Sequence, residues 1–416
     1  MIETRRSKYL KSIEKKSISL FYSGNLKHKS NDQYFPFSVN RNFYYLTNIE
    51  QEDVVLVLIK GDKNVETFLF IEKQDPIKAL WDGATLTFEE ASKLSEIPVS
   101  NIREIDTLET FLNQMFGISR VNIYGELTNL YLDLEKQKPS SYPTQIEHKA
   151  NQLKMSYPHL NILSSERVLA KLRMVKDTLE IENTNKAIEI TEKALNHVLK
   201  TLKPKMTEYE IEAEYNYILN KNNTETSFDT IAASGINGTV LHYVDNDDLI
   251  NDNELILFDL GVKYNNYCSD ISRTYPANGK FTDRQKQIYE IVLKANKETI
   301  KWLKPGRTIK EFNDFGKQIL IDGLKEIGLI KEDSEITKYY YHSLGHYLGL
   351  DVHDVGLYDQ VIPEGAIITV EPGLYIAEES IGIRIEDDIL ITKDGNINLS
   401  KAIIKEVKDI EAFMSK

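Results

Sequence analysis

The sequence predicts an α/β protein of two domains, at residues 1–172 and 173–416, the first with a mixed sheet and the second with a curved, mostly antiparallel sheet. Three observations predict this fold class. The chain of 416 residues is longer than the roughly 250–300 residues that one hydrophobic core usually supports. Short β-rich segments alternate with helical ones in its first part. An internal repeat divides its second part into two halves.

The first domain is predicted from segments rich in β-branched and aromatic residues that alternate with segments of helical periodicity. This alternation is typical of an α/β layer with a mixed sheet. The predicted helices are TFEEASKLSE (87–96) and TLETFLNQMF (107–116). The predicted strands are EDVVLVLI (52–59), VETFLFIE (65–72) and RVNIYGEL (120–127).

A change of pattern between residues 165 and 177 marks the domain boundary. Asp177 is followed three positions later by Glu180, which is the spacing of a capping box at the start of a helix. Apolar residues then mark one face of a long helix that runs to about Leu202. They are Ile181, Ile188, Leu195 and Leu199.

The second domain contains an internal repeat, visible when the chain is shifted against itself by 101 residues. Residues 200–219 then lie over residues 301–320. Both segments leave a helix at a Lys-Pro turn and begin another at a threonine, Thr207 or Thr308. Two amphipathic helix pairs could look alike by chance, so the helices alone would not establish a duplication.

The strands extend the repeat. With a small change of loop length, ELILFDLG overlays GAIITVEPG, which sets Asp259 opposite Glu371, and His242 faces His353. We therefore predict two α-α-β halves related by a pseudo-twofold axis, with their strands joined in one sheet.

Composition excludes several kinds of partner. A net charge of −13 and a pI near 5.3 disfavour nucleic acid and anionic membranes, because both attract positive surfaces. The longest aliphatic run, Val54 to Ile59, is far shorter than the about 18–20 residues of a membrane-spanning helix, and no secretory signal is recognised. The single cysteine, Cys268, excludes an intrachain disulfide, so the cytoplasm is the expected location.

Asp259 and Asp270 form the first part of a candidate metal site. A tight turn is predicted at Tyr264–Asn265, and strand pairing around it would set the two carboxylates directly opposite each other. Opposed like charges destabilise a sheet, so we expect a cation between them. Both could instead be turn or surface residues, but Asp259 follows the apolar run Leu255–Phe258, where an unpaired carboxylate would be costly.

Two later strands supply further candidate ligands. In SIGIRIEDDILIT, strict alternation places Arg384 and Glu386 on one face, although a surface salt pair would give the same pattern. Glu371 ends the apolar strand AIITV, where a buried carboxylate needs a partner.

Three histidines lie within twelve residues, in HSLGHYLGLDVHD. His342 and His346 are four positions apart, which predicts that they share one face of a helix, and His353 follows in an extended segment. The segment lacks the HExxH zinc signature, because position 343 is serine. His242 has weaker local evidence and depends on its alignment with His353.

These observations together predict a site for two divalent metal ions where the two halves meet, which makes hydrolysis the leading hypothesis. Four carboxylates and one imidazole provide about the negative charge that two such ions need. The five candidate ligands are Asp259, Asp270, His346, Glu371 and Glu386.

Other catalytic chemistries have less support. Cys268 would need a paired base, and the flanking carboxylates disfavour a thiolate. Ser269, Ser272 and Thr274 lack a G-x-S-x-G context and are assigned to the strand. GINGTV (235–240) lacks the Lys-Ser/Thr of a phosphate-binding loop.

The assembled motifs resemble the aminopeptidase P branch of the pita-bread metallopeptidases. The ligands occur in the order Asp, Asp, His, Glu, Glu within FDLG, YCSDISRTYPANGKFT, SLGHYLGLDVHDVG, VEPGLY and IRIEDD. DQYFPFSVNRNFYYLTNI (32–49) also resembles the amino-terminal domain of that branch, so the resemblance covers nearly the whole chain. Asn48 departs from it, because members usually carry glycine there.

The resemblance implies a pita-bread catalytic domain that binds two metal ions. Asp270 and Glu386 would bridge both ions. Asp259 would chelate the first, and His346 with Glu371 would complete the second. Manganese is the usual ion, and the ligand set also permits cobalt, iron or zinc.

The same resemblance implies an aminopeptidase that releases the first residue from peptides with proline at the second position, through a hydroxide that bridges the metals. Glu371 would move the proton, and His242 and His353 would steady the carbonyl oxygen as it becomes an oxyanion. A homo-oligomer, dimer or tetramer, is implied too. The residues implied for substrate binding are His342, Tyr375 and Arg384.

Rival functions share the fold. Prolidase, a dipeptidase with the same ligands, is the nearest alternative. A peptide-binding module that uses the cleft for recognition alone belongs to another class, but such relatives typically lose ligands. Methionine aminopeptidase usually lacks the first domain, and creatinase works without metal.

Overall fold

A computed structural model describes residues 1–117, 123–135 and 144–415 of the chain. The chain forms two compact units, Met1–Arg173 and Met174–Lys416. The division lies within the stretch where the sequence pattern changes. Within the described ranges, none of the helices combines the length and the apolar character that crossing a lipid bilayer requires.

The first unit is an α/β layer whose described residues include seven helices and eight strands. The helices are α1 (Ile2–Ser12), α2 (Arg41–Thr47), α3 (Pro76–Asp82), α4 (Phe88–Ser95), α5 (Leu108–Phe116), α6 (Gln145–Ser156) and α7 (Glu166–Arg173). The strands are β1 (Ser17–Tyr22), β2 (His28–Ser30), β3 (Gln33–Tyr34), β4 (Val55–Lys60), β5 (Val65–Ile71), β6 (Ile102–Glu104), β7 (Asn129–Leu132) and β8 (Asn161–Ser164).

Six of these strands form the mixed sheet that the sequence predicts, in the order β6-β5-β4-β1-β7-β8. The pairs β1–β4 and β4–β5 are antiparallel. The pairs β1–β7, β5–β6 and β7–β8 are parallel. Strands β4 and β5 and helices α4 and α5 confirm four predicted segments.

The third predicted strand of this domain is misplaced. Residues 120–122 of RVNIYGEL lie outside the described residues, and residues 123–127 contain no strand. Gly125 has a φ of +82° there, and an added Cβ would lie 2.8 Å from the carboxylate of Asp62. A backbone in the left-handed region cannot continue an extended strand, so the strand begins later, at β7.

Asn48 ends helix α2 in the left-handed conformation, with φ 56° and ψ 25°. After glycine, asparagine is among the residues that accept this conformation most readily. Asparagine at this position therefore suits the backbone that the end of the helix adopts.

The second unit contains two helix pairs, a terminal helix and eleven strands among its described residues. The helices are α8 (Thr178–Thr201), α9 (Glu208–Lys221), α10 (Asp283–Trp302), α11 (Ile309–Glu326) and α12 (Val407–Met414). The strands are β9 (Glu225–Thr226), β10 (Ile231–Ser234), β11 (Leu255–Leu260), β12 (Val262–Tyr264), β13 (Tyr267–Cys268), β14 (Ile271–Pro276), β15 (Ile367–Val370), β16 (Gly373–Ile376), β17 (Ile381–Arg384), β18 (Asp387–Ile391) and β19 (Asn396–Asn398).

The helices of the second unit start as the sequence predicts. The capping box of Asp177 and Glu180 begins α8, and Thr207 and Thr308 begin α9 and α11 with capping boxes of their own. Each box satisfies backbone N–H groups that the first turn of a helix leaves without partners. The two helix pairs, α8 with α9 and α10 with α11, therefore have equivalent starts and turns.

The structure confirms the duplication beyond the helices. Lys205 N–H donates to the carbonyl of Ile250 at 2.8 Å, and Gly306 N–H donates to the carbonyl of Ile362 at 2.9 Å. Ile362 follows Ile250 by the same interval that separates Asp259 from Glu371. Each Lys-Pro turn is thus fastened to its own half at the same place.

Antiparallel pairing dominates the sheets of this unit, as in β10-β11-β14, β15-β18-β19 and β16-β17. Hydrogen bonds join β14, in the first half, to the segment from β17 to β18 in the second. The N–H of Glu386 donates to the carbonyl of Ser272 at 3.0 Å, and the N–H of Arg384 donates to the hydroxyl of Thr274 at 3.2 Å. Hydrogen bonds therefore link the strands of the two halves, which lie in separate sheets.

The predicted register of the Asp259 hairpin is wrong by two residues. The turn residues are Asn265 and Asn266, with φ of 46° and 63°, and this left-handed pair suits the twist of a two-residue hairpin. Asp259 consequently faces Ser272, and Asp270 lies diagonally beyond that pair. The carboxylates are neighbours, but they are not directly opposed.

The predicted helix at residues 342–346 is also wrong. This segment runs irregularly along β15, where Thr369 N–H donates to the carbonyl of His346 at 3.0 Å. An added Cβ on Gly345 would lie 2.0 Å from the carbonyl oxygen of Thr369, so only glycine permits this approach. Pairing with a neighbouring strand overrides the helical spacing of His342 and His346.

Candidate metal centre

The candidate ligands meet in one cavity of about 360 Å³ in the second unit. It contains all five predicted metal ligands and four further predicted site residues. Tyr375, the remaining predicted residue, contacts two of the lining side chains. The lining residues are Leu241, His242, Asp259, Asp270, His342, Ser343, His346, His353, Tyr358, Glu371, Arg384 and Glu386.

His346 is oriented as a metal ligand. Its Nδ1 lies 3.0 Å from the carbonyl of Tyr347, and because a carbonyl only accepts, Nδ1 carries the hydrogen. Its Nε2 faces Asp270 Oδ2 at 3.4 Å and Glu371 Oε1 at 3.5 Å. When Nε2 gives up its proton, a ring held in this way directs the lone pair of that nitrogen at the acidic cluster, as metal-binding histidines do.

The acids of the cavity are costly to hold as neighbouring charges. Burial and then the charge of Asp270 raise the pKa of Glu386 well above its usual range. Burial raises the pKa of Glu371 to about 7. Burial is also the largest effect on Asp270, whose pKa is raised even though His346 opposes this. A raised pKa means that the positive side chains nearby do not compensate the burial of these carboxylates, which therefore tend to bind protons when no metal ion is present.

His346 responds in the opposite direction to the same charges. Burial lowers its pKa, but the hydrogen bond with Asp270 and the charges of Asp270 and Glu371 outweigh burial and raise the pKa to about 9. In the metal-free protein the protonated imidazole of His346 therefore supplies positive charge to the neighbouring carboxylates.

The donor set fits a divalent metal pair. One ligand atom each from Asp270, His346 and Glu386 lies within 4.8 Å of the others. Glu386 Oε1 is buried and has no hydrogen-bond partner among the described residues. Four carboxylates share this cavity with one guanidinium, and an unpartnered buried carboxylate oxygen is the ligand that a hard cation requires.

Asp259 belongs to the cluster through Ser272 and Arg384. The hydroxyl of Ser272 lies 2.9 Å from Asp259 Oδ1 and 2.8 Å from Glu386 Oε2. Arg384 donates to that hydroxyl at 2.7 Å and to Asp259 Oδ2 at 2.6 Å. These contacts orient Asp259 and Glu386 toward the same space.

Tyr375 and His342 extend this network along the cavity. The hydroxyl of Tyr375 accepts a hydrogen bond from Arg384 at 2.9 Å and lies 2.9 Å from His342 Nε2. Burial and the charge of Arg384 lower the pKa of His342 to about 4. His342 is therefore a neutral, hydrogen-bonding side chain at neutral pH.

His353 packs against the candidate ligand His346, with ring centres 4.1 Å apart and the ring planes tilted by 55°. Burial and then the charge of His346 lower the pKa of His353 to about 4. His242 lines the same cavity from the first half of the repeat. Two imidazoles from equivalent places thus face the acidic cluster.

Two residues of this centre were missed in the sequence. Ser272 was assigned to its strand only, yet strand alternation from Asp270 places it on the same face, and that signal could have found it. Asp388 accepts a hydrogen bond from the N–H of Asp270 at 3.2 Å. Its position after Glu386 and Asp387 gave no sign of this long-range contact, which depends on the meeting of the two halves.

A duplicated α/β scaffold that buries four carboxylates and an imidazole around a small cavity defines a metal-dependent hydrolase. Sequence models of two families match the chain: metallopeptidase family M24 over residues 182–393 and the aminopeptidase P N-terminal domain over residues 2–124. The chain belongs to metallopeptidase family M24, in the aminopeptidase P group.

Known relatives are similar over the whole chain. The Xaa-Pro aminopeptidase of Haemophilus influenzae is 35% identical, with 99% of this chain and 96% of the relative covered. A solved structure from Bacillus anthracis assigned as an aminopeptidase P is 44% identical, with a TM-score of 0.96, 100% of this chain and 97% of that chain covered. Aminopeptidase P from Escherichia coli with the inhibitor Pro-Leu is 32% identical, with a TM-score of 0.88 and the same coverage.

Proposed function

We propose that this protein is an Xaa-Pro aminopeptidase, a metal-dependent exopeptidase that removes the first residue from peptides with proline in second place. The observation that carries the proposal is the cavity in which the complete set of four carboxylates and His346 converges. The names of the full-length relatives support the substrate class.

We propose Asp259, Asp270, His346, Glu371 and Glu386 as the ligands of two divalent ions, with manganese as the resident metal. Bound divalent cations would supply Lewis acidity and a water molecule activated for attack on a carbonyl carbon. The hard, oxygen-rich donor set supports manganese, and it also accepts cobalt, iron or zinc. One Escherichia coli aminopeptidase P structure is described as zinc-substituted.

Glu371 is proposed to move the proton. Its carboxylate faces the cavity, with Oε2 3.8 Å from His342 Nδ1 and Oε1 3.5 Å from His346 Nε2. It can take a proton from the attacking water and deliver it to the proline nitrogen as the C–N bond breaks. The products are then a free amino acid and a peptide that begins with proline.

The imidazoles around the cluster are proposed to act on the carbonyl oxygen of the scissile bond. His353, neutral because its pKa is about 4, can donate a hydrogen bond without adding a charge, and His242 lies in the same cavity. Such donors stabilise the oxyanion that forms during attack. His342, Tyr375 and Arg384 are proposed to contact the substrate.

A set of short peptides tests the substrate class. We expect Ala-Pro-Phe to release alanine and Pro-Phe, and Ala-Ala-Phe to be cut far more slowly, because the proposed site requires the proline ring. Activity on the dipeptide Ala-Pro alone would instead identify a prolidase. Binding of Ala-Pro-Phe with no turnover in fully metal-loaded protein would favour a peptide-binding module.

Metal analysis tests the centre separately. We expect two manganese ions per chain after loading, as measured by mass spectrometry on protein purified without chelator. Asp270→Ala should lose both bound metal and turnover, because a bridging ligand serves both ions. Fewer than one ion per wild-type chain would contradict the proposal.

We propose that the protein is a homo-oligomer, a dimer or a tetramer. Helix α3 has no buried residue, and Ile77, Leu80 and Trp81 are 71%, 86% and 85% exposed. Large apolar side chains grouped on one short helix are typical of an interaction surface. Leu80→Lys with Trp81→Lys should lower the mass measured by light scattering, whereas Ile123→Lys, at an exposed apolar position outside α3, should not.

We propose the cytoplasm as its location. The support is the single cysteine of the sequence, Cys268, which is buried and cannot form an intrachain disulfide. Cell fractionation with an antibody against the chain tests this.

A further inference from the structure

Glu208 is a fully buried carboxylate outside the metal cavity. It is the first residue of α9, and its exposed fraction is 0%. The capping box at this helix start is formed by Thr207 and Glu210, so Glu208 is not needed to cap the helix. Burying a carboxylate is costly unless it is hydrogen-bonded, so its presence here needs an explanation other than helix capping.

Five hydrogen bonds converge on this carboxylate. Oε1 accepts from the N–H and the hydroxyl of Ser234 at 2.6 and 2.8 Å, and from the amide of Asn237 at 3.2 Å. Oε2 accepts from the hydroxyl of Tyr243 at 2.8 Å and from the N–H of Asp248 at 3.0 Å. These neutral donors, together with the positive end of the helix dipole, compensate the burial of the charge.

The donors belong to the segment that carries His242. Ser234 ends β10, and the other three lie in residues 235–250, the His242 loop. This loop begins with a 3₁₀ turn, Gly235–Thr239, and has no other regular structure among its residues. Glu208 therefore binds the loop near its beginning, beside His242 and near its end.

The loop also packs beside Tyr375, one of the residues proposed to contact the substrate. Leu241 and Tyr243, on either side of His242, pack against a cluster that contains Tyr375. With both neighbours of His242 packed and Tyr243 also bonded to Glu208, the backbone at His242 is held beside the cavity that its exposed imidazole lines.

The internal repeat separates the role of Glu208 from the needs of the fold. The equivalent residue of the second half is Ile309, the first residue of α11, which is also buried. Both helices start at a threonine capping box, and Thr207 and Thr308 pair with Leu249 and Val361 in equivalent bridges. The scaffold thus forms equally well with an apolar residue here, and the carboxylate serves the loop.

We propose that Glu208 is a positioning residue, which fixes the His242 loop so that the imidazole of His242 faces the reacting carbonyl. This inference rests on the proposed function only for the role of His242. Glu208 touches no reacting group and acts through the loop.

The test compares Glu208→Gln with Glu210→Gln. In Glu208→Gln the new amide N–H₂ must face one of the two sets of donors, and because it cannot accept, the hydrogen bonds from the N–H groups on that side are lost: those of Ser234 and Asn237, or that of Asp248. Glu210→Gln makes the same chemical change two residues further along the helix, at an exposed carboxylate bonded to Thr207. We expect faster hydrogen exchange at residues 235–250 in Glu208→Gln only, in the absence of metal and substrate.

Kinetics on Ala-Pro-Phe test the link to His242. We expect Glu208→Gln to lower kcat roughly 10- to 100-fold, with a similar KM and unchanged manganese content, and Glu210→Gln to retain wild-type kinetics. In a His242→Ala background, Glu208→Gln should cause no further loss, because both changes remove the same contribution.

Two results would overturn the inference: unaltered exchange of the loop in Glu208→Gln, or multiplication of the two kinetic losses in the double variant. An inactive wild-type enzyme, or a fully active His242→Ala variant, would contradict the proposed function instead. The exchange experiment would still report on the anchoring of the loop.

Discussion

The acidic residues of the centre can be ionised side by side only when a cation binds between them. Glu386 illustrates this, since one of its oxygens is hydrogen-bonded to Ser272 and the other is buried with no such partner in the described part of the chain. The identity of the acids could be predicted from apolar runs that end in a carboxylate, as at Asp259 and Glu371. Strand alternation could have placed Ser272 on the same face as Asp270, but its hydrogen bonds could not be predicted, because they depend on Arg384 and Glu386 from the other half.

Ser272→Ala should weaken metal binding. The hydroxyl contacts Asp259, Glu386 and Arg384, and its loss leaves two ligands less well oriented. Removal of such supporting contacts typically costs about 10- to 100-fold in metal affinity. Manganese titration by calorimetry measures the loss, and Ser272→Thr, which keeps a hydroxyl, should recover most of the affinity. Equal affinity of Ser272→Ala and wild type would exclude this role.

The stabilisation by manganese should increase with pH. In the metal-free protein the pKa of Glu371 is raised from 4.5 to about 7 and that of His346 from 6.5 to about 9. The folded protein therefore binds more protons than the unfolded chain between these pKa values. The free energy of unfolding consequently falls as the pH rises from 4.5 to about 7 because of Glu371, and from 6.5 to about 9 because of His346. Divalent ions bind the deprotonated groups and so compete with protons.

Thermal unfolding with and without manganese at pH 6 and pH 8 provides the measurement. We expect a larger rise in Tm at pH 8 than at pH 6. Asp270→Asn, which removes a proposed bridging carboxylate, should show little rise at either pH. A rise in wild type that is the same at both values would mean that these groups do not bind the ions.

At the scale of elements, sequence periodicity predicted those helices and strands whose formation depends on interactions between residues close in the chain. Helices α4, α5 and α8 and strands β4 and β5 follow from capping and alternation within a few residues. Two predictions failed, one because of the conformation of a turn and one because of a contact with a distant strand. The hairpin after Asp259 was placed one residue early, because left-handed conformation at Asn266 as well as Asn265 selects the turn. His342 and His346 do not form a helix, because their segment pairs with β15.

The approach of β17 to the His242 loop depends on two glycines. A Cβ added to Gly382 would lie 1.8 Å from the carbonyl oxygen of Gly238, and neither backbone can move as a flexible side chain would. We expect Gly382→Ala to lower the free energy of unfolding by at least about 2 kcal/mol, as overpacking does.

Urea unfolding measures this loss, with Gly395→Ala as the control. A Cβ on Gly395 would meet nothing within 4 Å, so that variant should be neutral or slightly stabilised. Similar losses in both variants would show that the close approach at Gly382 is not the cause. Loss of turnover in Gly382→Ala is also expected, since Arg384 lies on the same strand.

At the scale of the whole molecule, duplication explains why the centre lies where it does. Each half contributes carboxylates at equivalent places, Asp259 in the first and Glu371 in the second, and hydrogen bonds between Ser272 and Glu386 join the halves. The repeat was visible in the sequence because helix starts and strand ends kept their spacing. The distances within the centre could not be predicted, because they depend on how the two halves pack.

Metal binding should stabilise the two units unequally. All five proposed ligands lie in the second unit, residues 174–416, and the mixed sheet of the first unit supplies none. A ligand protects most strongly those amides whose exchange requires opening of the element that binds it. We therefore expect manganese to slow hydrogen exchange in β11, β14, β15 and β18 at least tenfold, and to leave β1, β4 and β5 nearly unchanged.

Hydrogen exchange followed by mass spectrometry, with and without manganese, measures both sets in one sample. Asp270→Asn serves as the control that binds no metal pair. Equal protection of both sets would contradict this expectation.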